Sequence, residues 1–279
     1  PWLTKDPIAN FFQKILPAAI AYKISRWLYV RSYSLGFYLI RYLPALMERI
    51  LLSLSRRQLG PDFDFVTHLT PHYNLWDQRL CVAHDGDFFK VLRSGTASIV
   101  TDKIDRITDH GLLLESGDEL SADVIVTATG FNIELIEKFD LSIDGRPFAD
   151  LQTFIYKNIM FSGVPNFSTI LPYGYYPYTL KVDLVSKYVC RLLNHMSKTG
   201  TRQCMPCLRE SDYEMKSIPY WKSHFSLNSG DHKPGYIDRM KFDALYCGDR
   251  HPWLFNGDHF EDKRVLSGPI EDGVMKFTT

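Results

Sequence analysis

The amino-acid sequence predicts an α/β protein that begins with a helical segment. Three observations support this prediction: residues 1–60 repeat apolar side chains at helical spacing, residues 97–127 contain short apolar runs separated by turn sequences, and residues 179–200 form one long amphipathic pattern. The 279 residues are 45% hydrophobic and 23% charged, which is typical of a globular protein and excludes wholesale disorder.

Proline, glycine and capping residues divide the first sixty residues into helices. Asp6 followed by Pro7 is typical of a helix start, because a carboxylate caps free N–H groups and proline fits the first helical position. Pro17 and Pro44 predict two further helix starts, and Gly60 predicts the end of the last helix.

The helical segment is basic, although the whole chain has a formal net charge of zero. Residues 1–60 contain nine basic and two acidic residues, a net charge of +7, and the remaining residues carry −7. A basic, aromatic-rich segment suits a nucleic-acid or membrane-surface element. A solvated helix face beside a packed one gives the same pattern, and we favour that interpretation. A peripheral membrane contact through residues 1–60 stays open, whereas we predict no nucleic-acid partner.

Short strands are predicted to follow the helices. Asp85 is predicted to cap a short helix that ends at Gly95, and residues 97–101 are predicted to form a buried strand. Tight-turn sequences then separate three strands of a predicted meander, at residues 103–108, 111–115 and 119–127. Its most apolar run is Val124–Ala128.

Further turns and strands are predicted in the second half of the chain. Asp144-Gly145 predicts a hairpin, because both residues tolerate left-handed backbone. Strands are predicted at residues 158–161 and 167–171, on either side of a turn at residues 163–166.

One long helix is predicted after these strands, with Thr179 as its cap and Gly200 as its end. Its predicted apolar face consists of Val185, Tyr188, Val189, Leu192, Leu193 and Met196. Residues 201–279 have weak periodicity and are predicted to form an irregular tail over the body.

Five cysteines, an odd number, predict reduced thiols and a cytoplasmic protein. Cys204 and Cys207 have the spacing of a redox or zinc pair, but no second pair accompanies them. We therefore predict ordinary thiols and no metal site.

The chain carries no motif that grips phosphate. No two glycines have the spacing that begins G-x-G-x-x-G, and the pair Gly230 and Gly235 is followed by Tyr236 rather than the lysine of a P-loop. Because the chain starts at Pro1 and its first methionine is Met47, we expect that upstream sequence is missing.

Several segments resemble class B flavoprotein monooxygenases of the Baeyer–Villiger type. Residues 123–131, DVIVTATGF, are similar to the strand and A-T-G turn that lead from the NADPH domain of these enzymes back to the FAD domain. Residues 70–80, TPHYNLWDQRL, together with residues 162–166 and 179–186, are similar to the ethionamide-activating branch. The resemblance covers almost the whole chain.

The resemblance implies the C-terminal part of a flavoprotein with two Rossmann-like domains, which bind FAD and NADPH. Residues 1–60 would be a helical insertion of the NADPH domain, 61–127 the rest of that domain, 128–200 the returning part of the FAD domain, and 201–279 a tail. The implied activity is NADPH- and O₂-dependent oxygenation of a ketone or a thio compound. The chain alone is expected to be inactive, because it lacks the glycine loops.

The resemblance also assigns a catalytic residue. Arg79 matches the family arginine that lies over the flavin, where a permanent, planar cation can stabilise developing oxyanion charge. Gln78 stands where many members have a lysine that helps to hold the 2′-phosphate of NADPH, so a preference for NADPH over NADH stays open. On the residues alone, Arg79 would be a surface arginine paired with Asp77 or Asp85.

The other implied cofactor contacts lie at turns and at a helix start: Gly130, Pro165, Asn166, Thr179 and Leu180. A glycine allows close approach of the backbone to a cofactor, and a helix N-terminus offers N–H groups to the electron-rich edge of a flavin. An ordinary capped helix is the structural alternative. N-hydroxylating or simple flavin-containing monooxygenases, and a non-catalytic interaction or membrane-surface module, remain alternative functions.

Overall fold

The computed structural model describes residues 6–71, 83–129, 141–148, 151–171, 176–220, 245–255 and 257–279. The chain divides into two compact units, Pro1–Gly130 and Phe131–Thr279. Helices and strands occur in both units, which confirms a mixed helix and sheet architecture.

Three helices open the first unit: α1 (Pro7–Ile15), α2 (Ala18–Tyr42) and α3 (Pro44–Leu59). The predicted cap is confirmed, because Asp6 Oδ1 accepts hydrogen bonds from the N–H groups of Ile8 at 3.0 Å and Ala9 at 2.9 Å. Gly60 ends α3 with φ at 91°, as its position predicts. Helix α2 packs against both α1 and α3. None of the helices in the described parts of the chain has the length and apolar content needed to cross a bilayer.

Two short helices follow, α4 (Phe65–Leu69) and α5 (Asp87–Arg93). The prediction that Asp85 caps α5 is wrong. Asp85 lies in a preceding 3₁₀ turn with φ at 51°, and the left-handed Gly86 precedes the helix instead. Glycine reaches this conformation without the steric cost that a side chain brings. Gly86 therefore takes the position before the helix, and α5 starts at Asp87.

The predicted meander is present as an antiparallel sheet of β1 (Ile104–Ile107), β2 (Gly111–Leu114) and β3 (Glu119–Ser121). Strand β2 needs glycine at its first position, where it faces β3. A Cβ on Gly111 would lie 1.9 Å from the carbonyl oxygen of Leu120.

Two strand predictions in the first unit need correction: the strand predicted at residues 97–101 does not form, and the one predicted at residues 119–127 ends at Ser121. Residues 97–101 and 124–128 belong to no strand, and most of them are exposed, Val124 at 78% and Val126 at 84%. Both runs have the β-branched composition of a buried strand, but neither pairs with a strand among the described residues. Without a partner for its N–H and C=O groups, an apolar run does not form a sheet strand.

The first described element of the second unit is the predicted hairpin at Asp144-Gly145, between β4 (Ser142–Ile143) and β5 (Arg146–Pro147). The central residues have φ at 51° and 79°, the left-handed values of a tight hairpin turn.

Among the described residues, the main sheet of this unit contains four short strands. Its order is β7 (Met160–Phe161), β6 (Thr153–Tyr156), β10 (Leu245–Cys247) and β9 (Ile218–Pro219), with a parallel pair between β6 and β10. A second, antiparallel pair joins β8 (Gln203–Pro206) to β11 (Met275–Thr278).

The strands predicted at residues 158–161 and 167–171 need correction. The turn lies at Lys157 and Asn158, which have φ at 49° and 60°, so that only the end of the first run pairs. Residues 167–171 form no strand. Lys-Asn lacks the glycine that marks most such turns, which hides this hairpin in the sequence.

Helices α6 (Tyr178–Thr199) and α7 (His259–Ser267) pack against each other in the second unit. The end of α6 at Gly200, with φ at 69°, is as predicted. Leu193 is exposed, so the predicted apolar face of α6 is wrong at that residue.

Two apolar clusters fill the second unit, on opposite faces of the β6–β7 hairpin. Tyr156 and Met160 contribute to the cluster that includes Trp253, whereas Ile155 and Phe161 contribute to the other. Trp253 is fully buried, and β8 to β11 and α7 all lie after residue 200. The described part of residues 201–279 is therefore a structural component of the core rather than an irregular tail.

Candidate functional site

The site residues predicted from the sequence fall into two groups. Gln78, Arg79 and Gly130 lie outside the described residues. Pro165, Asn166, Thr179 and Leu180 are described, and all lie in the second unit.

The turn that contains Pro165 and Asn166 is joined to β8 by hydrogen bonds. The Asn166 N–H donates to the Cys204 carbonyl oxygen at 2.8 Å, and Asn166 Oδ1 accepts from the Cys204 N–H at 2.9 Å. Asn166 Nδ2 donates to the Arg202 carbonyl oxygen at 3.1 Å. With φ at 52°, Asn166 occupies a left-handed conformation that asparagine tolerates better than most residues. Both ends of its side-chain amide therefore hold the turn in place.

The start of α6 differs from the prediction. Pro177 precedes the helix, and no side chain of the described residues caps it, so the prediction that Thr179 is the cap is wrong. Thr179 lies exposed in the first turn, and Leu180 is buried. The first turn contains no acidic residue. The Leu180 N–H donates to the Pro177 carbonyl oxygen at 3.1 Å, and no carboxylate within this turn compensates the positive end of the helix dipole.

A buried ion pair immediately follows these residues. Lys181 Nζ donates to Asp262 Oδ2 at 2.5 Å, and the two residues are 1% and 2% exposed. Asn158 Nδ2 donates to Asp262 Oδ1 at 2.9 Å. Burial lowers the pKa of Lys181, and the negative charge of Asp262 offsets part of that effect. We call Lys181, Asp262 and Asn158 the polar centre. It joins the first turn of α6 to α7 and to the tip of the β6–β7 hairpin.

The sequence contains one feature that points to Lys181. Lys181 shares the buried face of α6 with Leu184, Val185 and Tyr188, at the i+3, i+4 and i+7 positions. A lysine on an apolar face requires a buried partner. Its partner Asp262 lies 81 residues away, so the sequence does not identify it.

A second buried ion pair lies at the same hairpin tip. Lys157 Nζ lies 2.8 Å from Asp272 Oδ2, and the Tyr156 hydroxyl donates to the same oxygen at 2.6 Å. Burial raises the pKa of Asp272, but the hydrogen bonds from Lys157 and Tyr156 outweigh it, so the pKa lies below its usual value. Lys157 Nζ also lies 5.0 Å from the centroid of the Tyr156 ring and 5.3 Å from that of Tyr188. These contacts stabilise the left-handed backbone of the turn.

The spaced cysteines Cys204 and Cys207 do not form a reactive pair. Cys204 is buried in β8 and Cys207 is partly buried, and both thiols are free. Burial raises the pKa of each thiol, which keeps both protonated near neutral pH. The described residues contain no group of three side chains suited to a metal ion.

Comparison with known proteins shows that the chain is similar in sequence to FAD-containing monooxygenases. No family model matches the chain. The chain is 36% identical over 274 residues to the FAD-containing monooxygenase EthA of Mycolicibacterium smegmatis, and 37% identical over 274 residues to EthA of Mycobacterium tuberculosis. It is 35% identical over 273 residues to the "Probable FAD-binding monooxygenase AlmA" of Acinetobacter baylyi.

Each alignment covers 98% of this chain but only 53–54% of the relative. The chain therefore spans about half the length of the curated relatives it matches. The resemblance found in the sequence is confirmed: over nearly its whole length, the chain is similar to FAD-containing monooxygenases.

Proposed function

We propose that the chain is the C-terminal part of a class B flavin monooxygenase of the Baeyer–Villiger type. The complete enzyme would use FAD, NADPH and O₂ to oxygenate a ketone or a thio compound. The observation that carries the proposal is the 36–37% identity to FAD-containing monooxygenases across 98% of the chain. The motif at residues 123–131 supports the same conclusion.

The start of α6 has the chemistry to hold one edge of FAD. Reduced flavin carries negative charge at one edge of its ring system, and bound FAD would supply the redox chemistry of the reaction. The Leu180 N–H donates to the Pro177 carbonyl oxygen, whereas no side chain of the described residues caps the first turn near Thr179, and that turn contains no acidic residue. A carboxylate there would repel the flavin, and its absence from this turn suits an anionic ligand.

The polar centre would position this helix end. The ion pair of Lys181 with Asp262 fixes the first turn of α6 against α7, and Asn158 fixes it against the hairpin tip. Since all three side chains are buried, their role is positioning rather than direct contact with a substrate.

The exposed apolar runs fit the same proposal. Residues 97–101 and 124–128 have the composition of buried parallel strands, yet they pair with no described strand. We assign them to a sheet whose remaining strands belong to the part of the relatives that this chain does not match. Gly130 follows the second run. Because glycine has no side chain, a cofactor could approach the backbone closely there.

The catalytic role falls to Arg79. Its guanidinium would stay charged throughout the reaction and donate hydrogen bonds to the oxygen on which negative charge develops. Loss of such a donor costs about 3 kcal/mol, or roughly a hundredfold in rate.

The test uses the full-length flavoprotein and separates reduction from oxygenation. Arg79→Ala is expected to retain NADPH-dependent bleaching of the flavin absorbance but to lose oxygenated product at least about a hundredfold. Arg106→Ala is the control, because Arg106 is exposed and, within the described parts of the chain, forms its ion pair with its neighbour Asp105. Normal product formation by Arg79→Ala would remove this arginine from the mechanism.

A second test uses the 279-residue chain as it stands. Because its sequence contains no G-x-G-x-x-G loop, we expect neither stoichiometric FAD nor NADPH oxidation after purification. A yellow, NADPH-oxidising preparation would overturn the assignment of the chain as a partial enzyme.

Coenzyme preference provides a third test, again in the full-length flavoprotein. Gln78→Lys is expected to raise the ratio of kcat/KM for NADPH to that for NADH by about tenfold, because a cation strengthens a hydrogen bond to the 2′-phosphate by more than 1 kcal/mol. An unchanged ratio would show that residue 78 does not contact the phosphate.

A further inference from the structure

The helices α1, α2 and α3 expose large apolar side chains in regular stripes. On α2 the large exposed apolar residues are Ile20, Tyr22, Trp27, Leu35, Tyr38, Leu39 and Tyr42. At 100° per residue all of them except Tyr22 fall within an arc of roughly 120°. Trp27 is 58% exposed and Tyr42 is 73% exposed, so this stripe is not covered within the described structure.

The neighbouring helices repeat the pattern. Helix α1 exposes Ile8, Phe11 and Ile15, at i, i+3 and i+7. Helix α3 exposes Leu46, Ile50 and Leu54, at intervals of four residues. A large exposed apolar surface on a soluble unit marks an interaction site.

Positive charge accompanies the stripes. Residues 1–60 carry a net charge of +7, and their two acidic residues are Asp6 and Glu48. Asp6 is occupied within the structure, because it caps α1 and accepts a hydrogen bond from the Tyr29 hydroxyl at 2.5 Å. The surface of α1–α3 is therefore cationic as well as apolar.

The net charge of +7 favours an anionic occupant of this surface. Arg31 lies within the α2 stripe, and its guanidinium carbon is 5.9 Å from the centroid of the Trp27 ring. At an anionic lipid surface, basic side chains meet phosphate while Trp and Tyr lie at the level of the headgroups.

The exposed strand-like runs of the same unit show the contrast. Residues 124–128 and 97–101 contain no lysine, arginine or aromatic residue. Their composition suits burial in a sheet, whereas that of α1–α3 combines aromatic, aliphatic and basic residues as interfacial helices do.

We infer that α1–α3 form a binding surface for anionic phospholipid membranes, with the apolar stripes in the interface and the basic residues at the headgroups. This inference does not depend on the proposed enzymatic function, since vesicle binding requires neither flavin nor NADPH.

The experiment is co-sedimentation of the 279-residue chain with sucrose-loaded vesicles. We expect binding to vesicles of phosphatidylcholine mixed with phosphatidylglycerol, weak binding to phosphatidylcholine alone, and a decrease in binding as salt is raised. Equal binding to both vesicle types, or binding to neither, would overturn the inference.

Two variants test the two parts of the surface. Trp27→Ser/Leu35→Ser/Tyr42→Ser is expected to lower the partition coefficient at least about tenfold, because it removes apolar area from the interface. Lys14→Gln/Lys23→Gln/Arg49→Gln is expected to lower it on the order of a hundredfold, since each basic residue contributes roughly a factor of five. All six positions are exposed, so neither variant removes core packing.

Leu193→Ser/Tyr213→Ser is the matched control, because both residues are exposed apolar side chains of the second unit. This variant is expected to bind vesicles as the unmodified chain does, and a loss equal to that of the α2 variant would overturn the inference. A concentration-dependent dimer that the α2 variant abolishes, without vesicle binding, would assign the stripes to a second copy instead. Full-length flavoprotein that oxidises NADPH but does not bind vesicles would contradict this inference and leave the proposed function intact.

Discussion

Replacement of Lys181 by methionine tests whether the polar centre is a buried charge pair on which the second unit depends. Lys181→Met keeps most of the side-chain volume but removes the cation that lies 2.5 Å from Asp262. The carboxylate of Asp262 then stays buried without its cation, while the side-chain amide of Asn158 still donates to it at 2.9 Å. We expect the free energy of unfolding to fall by about 3–5 kcal/mol, because an uncompensated buried charge costs this much.

The same helix provides a matched control. Lys187 pairs with Asp183 at 3.0 Å, but its side chain is 69% exposed. Lys187→Met is expected to cost no more than about 0.5 kcal/mol, since water screens an exposed pair at i and i+4. The difference between the two lysines therefore measures the effect of burial.

A second substitution tests the cause of the loss. In Lys181→Met/Asp262→Asn the buried negative charge is removed, while the amide oxygen of the new asparagine still accepts from Asn158. We expect the double variant to recover at least about 2 kcal/mol relative to the single variant. Urea unfolding of the 279-residue chain, followed by circular dichroism, provides all four free energies. Equal losses for Lys181→Met and Lys187→Met, or no recovery in the double variant, would refute the reasoning.

Three further outcomes follow from single sites. Hydrogen bonds from Arg209 lower the pKa of Asp212 to about 2, so the Asp212 carboxylate stabilises the fold at pH values above its unfolded pKa near 4. About 2 kcal/mol of this stability is expected to be lost as the pH falls to about 2. Urea unfolding at several pH values measures the loss, which should be absent in Asp212→Asn. Gly111→Ala should lower the free energy of unfolding by at least about 2 kcal/mol, because the added Cβ would collide with a carbonyl oxygen. At Gly117 an added Cβ would meet open space, so Gly117→Ala should lower it by only about 1 kcal/mol, from backbone strain, in the same assay. Asn166→Gly tolerates the left-handed backbone but loses two side-chain hydrogen bonds, at about 1 kcal/mol each. Asn166→Ala loses the same hydrogen bonds and also places a Cβ at φ 52°, so it should be less stable than Asn166→Gly by about a further 1 kcal/mol. The reverse order of stability would contradict the strain at this position.

Local chemistry made much of the secondary structure predictable. Asp6 and Pro7 start α1, Gly60 ends α3, and Asp144-Gly145 forms a hairpin turn, because each of these choices depends on neighbours within four residues. The turn at Lys157 and Asn158 was not predictable in this way. Both residues occupy left-handed backbone without being glycine, and contacts with residues about a hundred positions away hold them there.

Strand prediction failed where pairing depends on distant residues. Residues 97–101 and 124–128 have the apolar, β-branched composition of strands, yet composition gives only a preference, and a strand also needs a neighbour for its N–H and C=O groups. The family resemblance identified residues by motif, not by contact. It led to the turn at Asn166 and to the start of α6 but not to Lys181, which follows directly after two predicted site residues.

The two ion pairs explain why the end of the chain is part of the candidate site. Asp262 lies in α7 and Asp272 lies just before β11, and each neutralises a lysine at the hairpin tip or at the start of α6. Both lysines are nearly fully buried, so each would be an unpaired internal cation without its partner. The uncapped start of α6, where we propose that one edge of FAD binds, is thus held in place by residues that come some eighty positions later. Apolar packing alone would bury this helix without fixing its exact position. The directional hydrogen bonds of Asp262 fix the rotation of its first turn and its position along the helix axis. A cofactor that contacts backbone N–H groups requires that geometry.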